Sequence, residues 1–526
     1  MSNVLLFNQY YTVEEDSQEL ILASLPLNLL NLATYLNANG VSCSIEELGM
    51  FDFNDWITDG KRKRCGKSNA EIKKIINEKK PILIGLSCMY SRHFQDIVNL
   101  ATYIKKINPK IKIVTGGNHA SSFAKWIVGM GMFDYVVVGE GEETLLELSR
   151  HLLEKNLDVS DIKGLVYKKG RKIIENEKRR LIWDLNKLPP LDYSLVDVKK
   201  YAGLSKGSIY TMRTPVLGIM SSRGCPGDCV YCTVRAVWGR TWRGKSAVKT
   251  VDELELLHNT YGINEIGFLD DSAAVNKKRW GEICDEIIKR KLDIRWTTPN
   301  GIAHWTLDKR LIKKMKKAGC YRITFGIESG NKDIREYIHK THSLAQAKEL
   351  IQYANKIGMW TICTHILGFP YETKEQILDT INFAKHSGTD FAAFFTLSPQ
   401  PTSPVYEDFK KEGLLNFDDI FKTMKFDQKK YQEMYKMLNE EAAPTMNFDK
   451  DEIKKLHLHA YRSFIAYRAM SYLNPIRILN KINSFEDFRY TAKLIYTGVK
   501  LFTRSFLKNT TRSILYTPVS KKRIPA

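Results

Sequence analysis

The sequence predicts an α/β protein in three parts. A doubly wound parallel sheet spans residues 1–155, a partial (β/α)6 barrel spans 216–405, and a helical, basic region spans 406–526. Three observations predict this. Short Val/Ile/Leu strands alternate with amphipathic stretches through the first 155 residues, the mark of a parallel sheet covered on both faces. That rhythm stops at a connector, 156–215, and resumes for six more strand–helix units. Beyond residue 404 the strand pattern is lost and basic residues dominate.

A chain of 526 residues is long enough for two or three domains. It has no run of about 18 uninterrupted apolar residues, so no transmembrane helix is expected. The N-terminus lacks the basic-then-apolar pattern of a signal peptide. Nine Cys, three clustered and six scattered, fit a reducing cytosol better than a disulfide framework, so the expected location is cytoplasmic. Net charge is +21, and residues 454–526 carry 15 Lys/Arg against two acids. Such a patch suits nucleic acid, an anionic membrane surface or an acidic substrate, and does not choose among them.

In the first part, residues 4–7 read as a strand and 27–39 as a helix ending at Gly40. Residues 42–46 read as a strand, and 81–87 as a buried strand followed by a helix over 94–106. Strands at 111–115 and 135–138 run into glycine turns, the second followed by a helix. Ligands of doubly wound sheets sit beyond the strand carboxyl ends. Here those ends carry Ser87, the Gly116-Gly117-Asn118-His119 loop and Gly139-Glu140. Glycines there let a large planar or polyanionic ligand approach the backbone; tight βα turns are the competing reading. A His beside Gly-Gly is more often a hydrogen-bonding residue than a ligand. The basic run at 61–64 reads as a solvated loop.

Residues 164–174 read as a β-hairpin around Gly170, and the Leu-Pro-Pro-Leu at 188–191 as an extended linker. The six strands that follow are 217–221, 265–269, 294–298, 321–327, 360–365 and 391–397. In barrels, polar residues at strand carboxyl ends read as functional. Asp270, Asp271, Glu328 and Ser329 fall there; for any one of them a helix cap or salt bridge is the alternative.

The first barrel strand runs into Ser222-Arg223-Gly224-Cys225, with Cys229 and Cys232 completing a C-x3-C-x2-C pattern. Three thiolates this close can hold three irons of a [4Fe–4S] cluster and leave the fourth iron for a small chelating ligand. A structural zinc site would want a fourth ligand from a second knuckle, and the next cysteine is Cys284.

With Arg223-Gly224 ahead of this triad and Tyr231 inside it, the sequence resembles the radical S-adenosylmethionine (SAM) superfamily. Residues 25–30, 116–120 and 134–144 resemble the B12-binding domain that precedes the core in the cobalamin-dependent class. The resemblance covers residues 1–405. It implies a Rossmann-like B12 domain, a TIM-type partial barrel, a [4Fe–4S] cluster, SAM and cobalamin. Cys225, Cys229 and Cys232 would ligate the cluster. Asp270 and Asp271 would meet the SAM ammonium, Glu328 the ribose and Ser329 the methionine carboxylate. Tyr231, Ile366 and Gly368 would contact adenine. Leu25, Ser87, Gly116, Gly117, His119, Gly139 and Glu140 would line the cobalamin site. The D-x-H-x-x-G motif is absent, which implies cobalamin bound without a lower protein ligand.

The implied reaction is hydrogen abstraction by a 5′-deoxyadenosyl radical, then methylation of an unactivated carbon of an unknown organic substrate. No catalytic residue beyond the cluster is implied. A flavodoxin or ferredoxin would supply electrons. Cyclisation, oxidation or C–C coupling on the same scaffold are the alternatives. Methylthio transfer would need a second cluster triad, and Cys43, Cys65 and Cys88 fall in separate elements.

In the last part, 449–473 reads as a helix, and another runs from a capping-box-like 484–487 to 506. Phe464, Ile465, Tyr467, Leu494, Tyr496, Leu501, Phe502 and Phe506 recur among basic residues. Core packing is the ordinary reading. Contact with the inner membrane surface, or a grip on a lipid or anionic substrate, are the alternatives. No nucleic-acid-binding module is present, so specific nucleic-acid binding is not expected.

Overall fold

The computed structural model describes residues 3–507 apart from 16, 18–20, 53, 61, 155–156, 205–210 and 439–441, with side chains described as far as residue 498. The strands, in chain order, are β1 (Val4–Asn8), β2 (Tyr11–Glu14), β3 (Cys43–Glu47), β4 (Trp56–Asp59), β5 (Arg62–Cys65), β6 (Leu83–Ser87), β7 (Lys112–Gly116), β8 (Tyr135–Val137), β9 (Leu165–Lys169) and β10 (Lys172–Glu175). The second half adds β11 (Val216–Ile219), β12 (Ser222–Arg223), β13 (Arg243–Gly244), β14 (Glu265–Phe268), β15 (Arg295–Ile302), β16 (Cys320–Glu328), β17 (Trp360–Leu367) and β18 (Phe391–Thr396).

The N-terminal sheet has the order β10-β9-β8-β7-β6-β1-β3. Strands β3, β1, β6, β7 and β8 are parallel. All five residues of β1 are buried, as an apolar run between two helical layers requires. The chain leaves β1 to one side for β3 and to the other for β6, so the order of the sheet switches between β1 and β6.

Two local expectations differ from the structure. The hairpin expected in the connector is hydrogen-bonded to the sheet: β9 pairs antiparallel with β8, so the sheet reaches Glu175. The basic run is not a loop. β5 is the middle strand of a small antiparallel sheet, β2-β5-β4. Arg64 is buried there because its guanidinium lies 4.1 Å from the Tyr10 ring centre and 2.6 Å from Asp59.

The second sheet is β11-β14-β15-β16-β17-β18, all parallel and in chain order. Trp280, Trp296 and Phe268 meet edge to face beneath it. This is the wall of the partial barrel.

The Lys450–Ser471 helix lies along β18, the edge of that wall. Its capping box, Asp449 with Glu452, sets its start. His457 Nε2 and the Tyr461 hydroxyl donate to the Phe394 carbonyl. Phe464 is buried, and Tyr467 packs on His386, so this part of the apolar stripe is core packing. The Phe485–Leu507 helix crosses the amino ends of the barrel strands. Tyr490 packs on Tyr321 and Trp360, and Glu486 takes Arg213 and Arg295. Leu501, Phe502 and Phe506 belong to this helix, with side chains outside the described residues. Among the described residues no helix is long and apolar enough to cross a membrane.

Candidate metal and cofactor site

The two large sheets turn their strand carboxyl ends toward one loop. That loop, 224–242, leaves the barrel after β11 and is closed by the β12–β13 ribbon. Gly224 sits at φ +83, where a Cβ would collide with the Thr241 carbonyl, so the turn requires glycine. Asp271 accepts the Gly224 N–H at 3.1 Å. Val405 N–H reaches the Val230 carbonyl at 3.0 Å, and Asn118 donates to Thr233 at 3.0 Å.

The loop brings the three cysteines together. A Cβ on Gly227 would lie 3.3 Å from the Cys225 sulfur and 3.9 Å from the Cys229 sulfur, so both thiols lean over a residue with no side chain. Gly227 N–H points at Cys225 Sγ, 3.4 Å away. Burial raises the Cys225 pKa and pushes Cys232 up to about 11, with the neighbouring thiols adding to the effect. Among the described residues no three His, Cys, Asp or Glu side chains converge tightly enough for one metal ion. Three thiols gathered on one loop suit a three-thiolate iron–sulfur cluster. The other cysteines of the N-terminal region, Cys43, Cys65 and Cys88, are core side chains.

Asp270 is used inside the fold. It is 1 % exposed and accepts from Ser221 N–H at 3.3 Å, Ser221 Oγ at 2.8 Å and Ser222 Oγ. It braces the strand end from which the loop departs, with Oδ1 taken by both serine hydroxyls and Oδ2 by the Ser221 N–H. Asp271, one residue on, is the acid beside the thiols: it contributes to the raised pKa values of Cys225 and Cys232.

Glu328 ends β16 at φ +67, a left-handed conformation unusual for a non-glycine residue, beside a break in the register with β17. Its carboxylate pairs with Lys340 Nζ at 2.9 Å and lies 3.4 Å from Thr364 Oγ1. Gly326 makes room: a Cβ there would be 3.0 Å from Glu328 Oε1 and 3.3 Å from Lys340 Nζ. Burial acts to lower the Lys340 pKa, but Glu328 and Cys229 outweigh it and the ammonium is held. Tyr231 packs on Phe369, 6.2 Å between ring centres, and feels the Glu328 charge. Tyr231, Cys229, Glu328 and Lys340 are therefore one neighbourhood.

Ser329 does not join it. Its hydroxyl accepts Asn331 N–H and pairs with Thr380, holding the turn after β16. Ile366 is half-buried against the core below Phe369. The Gly368 and Phe369 N–H groups are both taken by Glu372, at 2.7 and 3.2 Å, so adenine would find carbonyls rather than N–H donors there. Burial pushes Glu372 up to about 7.

The N-terminal loops divide in the same way. Glu140, expected at the cobalamin site, is buried between two arginines: Arg223 at 2.6 Å and Arg243 at 2.7 Å. It also accepts Ile182 N–H at 2.6 Å. Glu142 takes the other nitrogen of Arg223. The loop after β8 thus grips the residue two positions ahead of Cys225. His119 is shut in, 3 % exposed among Phe94, Phe123 and Tyr431, with Nδ1 on Ser91 at 2.9 Å and burial lowering its pKa to about 3. Leu25 packs toward the barrel core and caps the following helix through its carbonyl.

Four residues remain at the open edge. Ser87 accepts from Asn28 at 2.5 Å. Gly116 closes β7, and Gly117, at φ +106, lies so close to Cys88 that a Cβ would be 2.6 Å from its carbonyl oxygen. Gly139, at φ +86, has open space where a side chain would be. Just past Ser87, at the switch point between β1 and β6, Met89 and Tyr90 are exposed. Glycine backbone plus exposed apolar side chains fits a large flat ligand. Arg243, Lys340 and Glu372 were not picked out from the sequence; only Glu142, which repeats the Gly-Glu of Glu140, left a signal there.

A family model described as the radical SAM superfamily matches residues 219–384, and one described as the B12 binding domain matches residues 24–149. An uncharacterised methyltransferase of Pyrococcus horikoshii is 32 % identical over 431 residues, 82 % of this chain and 86 % of that protein. An anaerobic magnesium-protoporphyrin IX monomethyl ester cyclase of Cereibacter sphaeroides is 28 % identical, over 58 % of this chain and 50 % of that one. Among solved structures, the cobalamin-dependent SAM radical enzyme OxsB with aqua-cobalamin and SAM bound has a TM-score of 0.65 at 15 % identity, covering 96 % of this chain and 71 % of that one, a likeness of fold.

Proposed function

The chain belongs to the radical SAM superfamily, in its B12-binding class, and from that premise we propose that it methylates an unactivated carbon of an organic substrate. The observation that carries this is the meeting of the two carboxyl edges. Asn118 reaches Thr233, and Glu140 with Glu142 holds Arg223, so the B12-type loops abut the thiol loop. Two cofactors seated on those edges would face one another across a single cleft.

In this reading Cys225, Cys229 and Cys232 hold a [4Fe–4S] cluster, and the apolar edge at Met89, Tyr90, Gly117 and Gly139 holds the corrin. When bound, the cluster and SAM supply a carbon radical, and cobalamin supplies the methyl carrier. The chain's own residues position and exclude. Asp271 fixes the Gly224 turn and presents a carboxylate beside the thiols for the SAM ammonium. Glu328, held by Lys340, presents an acceptor to the ribose. Tyr231 on Phe369 walls that space. Asp270 and Ser329 act through the backbone they brace.

The substrate enters from the carboxyl end of the barrel, and a flavodoxin- or ferredoxin-type donor supplies the electron. The basic Phe485–Leu507 helix lies at the other end of the strands, so its charge gives no reason to prefer a lipid or anionic substrate. Ring closure in the manner named for the cyclase relative is the second reading, since the same loops would serve it.

Anaerobic reconstitution with iron, sulfide and hydroxocobalamin tests the proposal. About four irons per chain and a retained corrinoid are expected. Cys225→Ala loses the iron and all 5′-deoxyadenosine formation while keeping the corrinoid. Four irons with no corrinoid would remove the methyl-carrier mechanism. An unchanged iron content in the variant would sink the cluster assignment.

A further inference from the structure

Of twenty exposed large apolar side chains among the described residues, eight fall between Met470 and Tyr496. Leu473 is 82 % exposed and Phe485 75 %, and Ile476 and Leu479 stand out on the Pro475–Leu479 helix. On the Phe485–Leu507 helix the outward residues Phe485, Phe488, Ala492 and Ile495 are spaced three, four and three apart, one face of a helix. The face that holds Tyr490 and Thr497 is turned to the barrel. In sequence the same spacing continues at Val499, Phe502 and Phe506. As far as residue 498 the helix therefore carries an apolar face on the side away from the protein.

Its charge is equally one-sided. In the sequence no Asp or Glu follows Asp487, while nine Lys/Arg do, four of them within the helix. Exposed Arg489 lies beside the apolar face. We propose that this outward face of the C-terminal helices docks on an anionic phospholipid bilayer, with the Phe485–Leu507 helix lying in the plane of the headgroups. A second copy of the chain is the poorer occupant, because it would set basic residues against basic residues with no acid to face them. Nucleic acid would use the charge and leave the Phe and Ile stripe in water. An anionic lipid surface takes both. The helix lies on the membrane and does not cross it, in keeping with its composition.

The placement fixes an orientation. This helix covers the amino ends of β15–β17, through Glu486 with Arg295 and Tyr490 with Arg322 and Trp360. The thiol loop lies at the other end of strands of eight or nine residues, about 25 Å away at the usual rise of a strand. The protein is tethered by its base, and its cleft opens away from the lipid. Docking is thus independent of the cofactor chemistry and is tested without it.

Flotation of the full chain with phosphatidylcholine vesicles, with and without phosphatidylglycerol, is the experiment. Binding to the anionic vesicles only, falling as salt rises, is expected. Together, Phe485→Ser, Phe488→Ser and Ile495→Ser lower it more than about tenfold. Arg489→Glu lowers it about fivefold or more. All four side chains are solvent-exposed, so the thermal midpoint stays near that of the parent. Absence of binding to anionic vesicles overturns the proposal, as does binding that the triple substitution leaves unchanged. Tighter binding to duplex DNA or RNA, insensitive to the triple substitution, assigns the surface to nucleic acid. A lipid-free dimer in ultracentrifugation, abolished by the same substitutions, assigns it to a second copy.

Discussion

At the amino end of the barrel strands, Lys481 and Asp390 lie 2.7 Å apart, 1 % and 0 % exposed in their side chains, and every oxygen of Asp390 has a protein partner. Nearby, Glu265 accepts from Met212, Arg213 and Tyr321. At the carboxyl end the same sheet carries three gathered thiols, a strained Glu328 paired with Lys340, and loops from another domain. One end spends its charges on closing the fold. The other leaves donors gathered around a space, with the supporting acids set one layer back. This is how a barrel separates stability from chemistry. It also shows that burial alone does not mark an active residue, since Glu265, Asp270 and Asp390, each 1 % exposed, all accept hydrogen bonds from within the fold.

The contrast can be broken most sharply at the base. Asp390→Ala leaves a buried ammonium without its counter-charge and should cost about 3–5 kcal/mol, read by urea unfolding, while reconstituted iron content stays at the parental level. If iron is lost in proportion to stability, the two ends are not separate. At the carboxyl end, Glu140→Gln removes one charge from between Arg223 and Arg243 and should cost about 3 kcal/mol or less. Here iron retention should fall as well, because Arg223 leads into the triad; unchanged retention would show that the thiol loop does not depend on the grip from β8.

The smallest effect is a pH dependence. Burial raises Glu372 from the usual 4.5 to about 7, so the folded state binds its proton more tightly than the unfolded state does. Stability from this group is present at low pH and is lost as pH rises from about 4.5 through 7, by about 2 kcal/mol between pH 5 and 7. Glu47, also pushed to about 7 by burial, acts in the same direction and remains in any variant of Glu372. Glu372→Gln should therefore flatten the thermal midpoint against pH only in part. An identical slope in the two proteins would mean that Glu372 is not protonated in the fold.

Much of the architecture was legible because it is local. Apolar runs such as 81–87 and 135–138, each followed by a helical pattern, announce parallel strands, and C-x3-C-x2-C announces a thiol site. What was not legible depends on partners distant in the chain. Arg64 reads as solvated until Tyr10 and Asp59 are placed beside it. Glu140 and Asp270 lie where a ligand would want an acid, yet Arg223 and Ser222 claim them. Lys340 has no periodic signature and matters only because the turn after β16 folds it back onto Glu328. The basic tail gave charge but no place, and its place, at the base, changes what the charge is for.

The plug at that base also sets an order of events during synthesis. The thiol loop and all six barrel strands have been synthesised once Thr396 has been added, whereas Lys481, Glu486 and Tyr490 follow some ninety residues later. At about 5–20 residues per second this is a gap on the order of ten seconds. During it, Asp390 lacks Lys481 and Arg295 lacks Glu486, while the three cysteines are already in chain. A nascent barrel thus has its thiols in chain well before the helix that closes its floor exists.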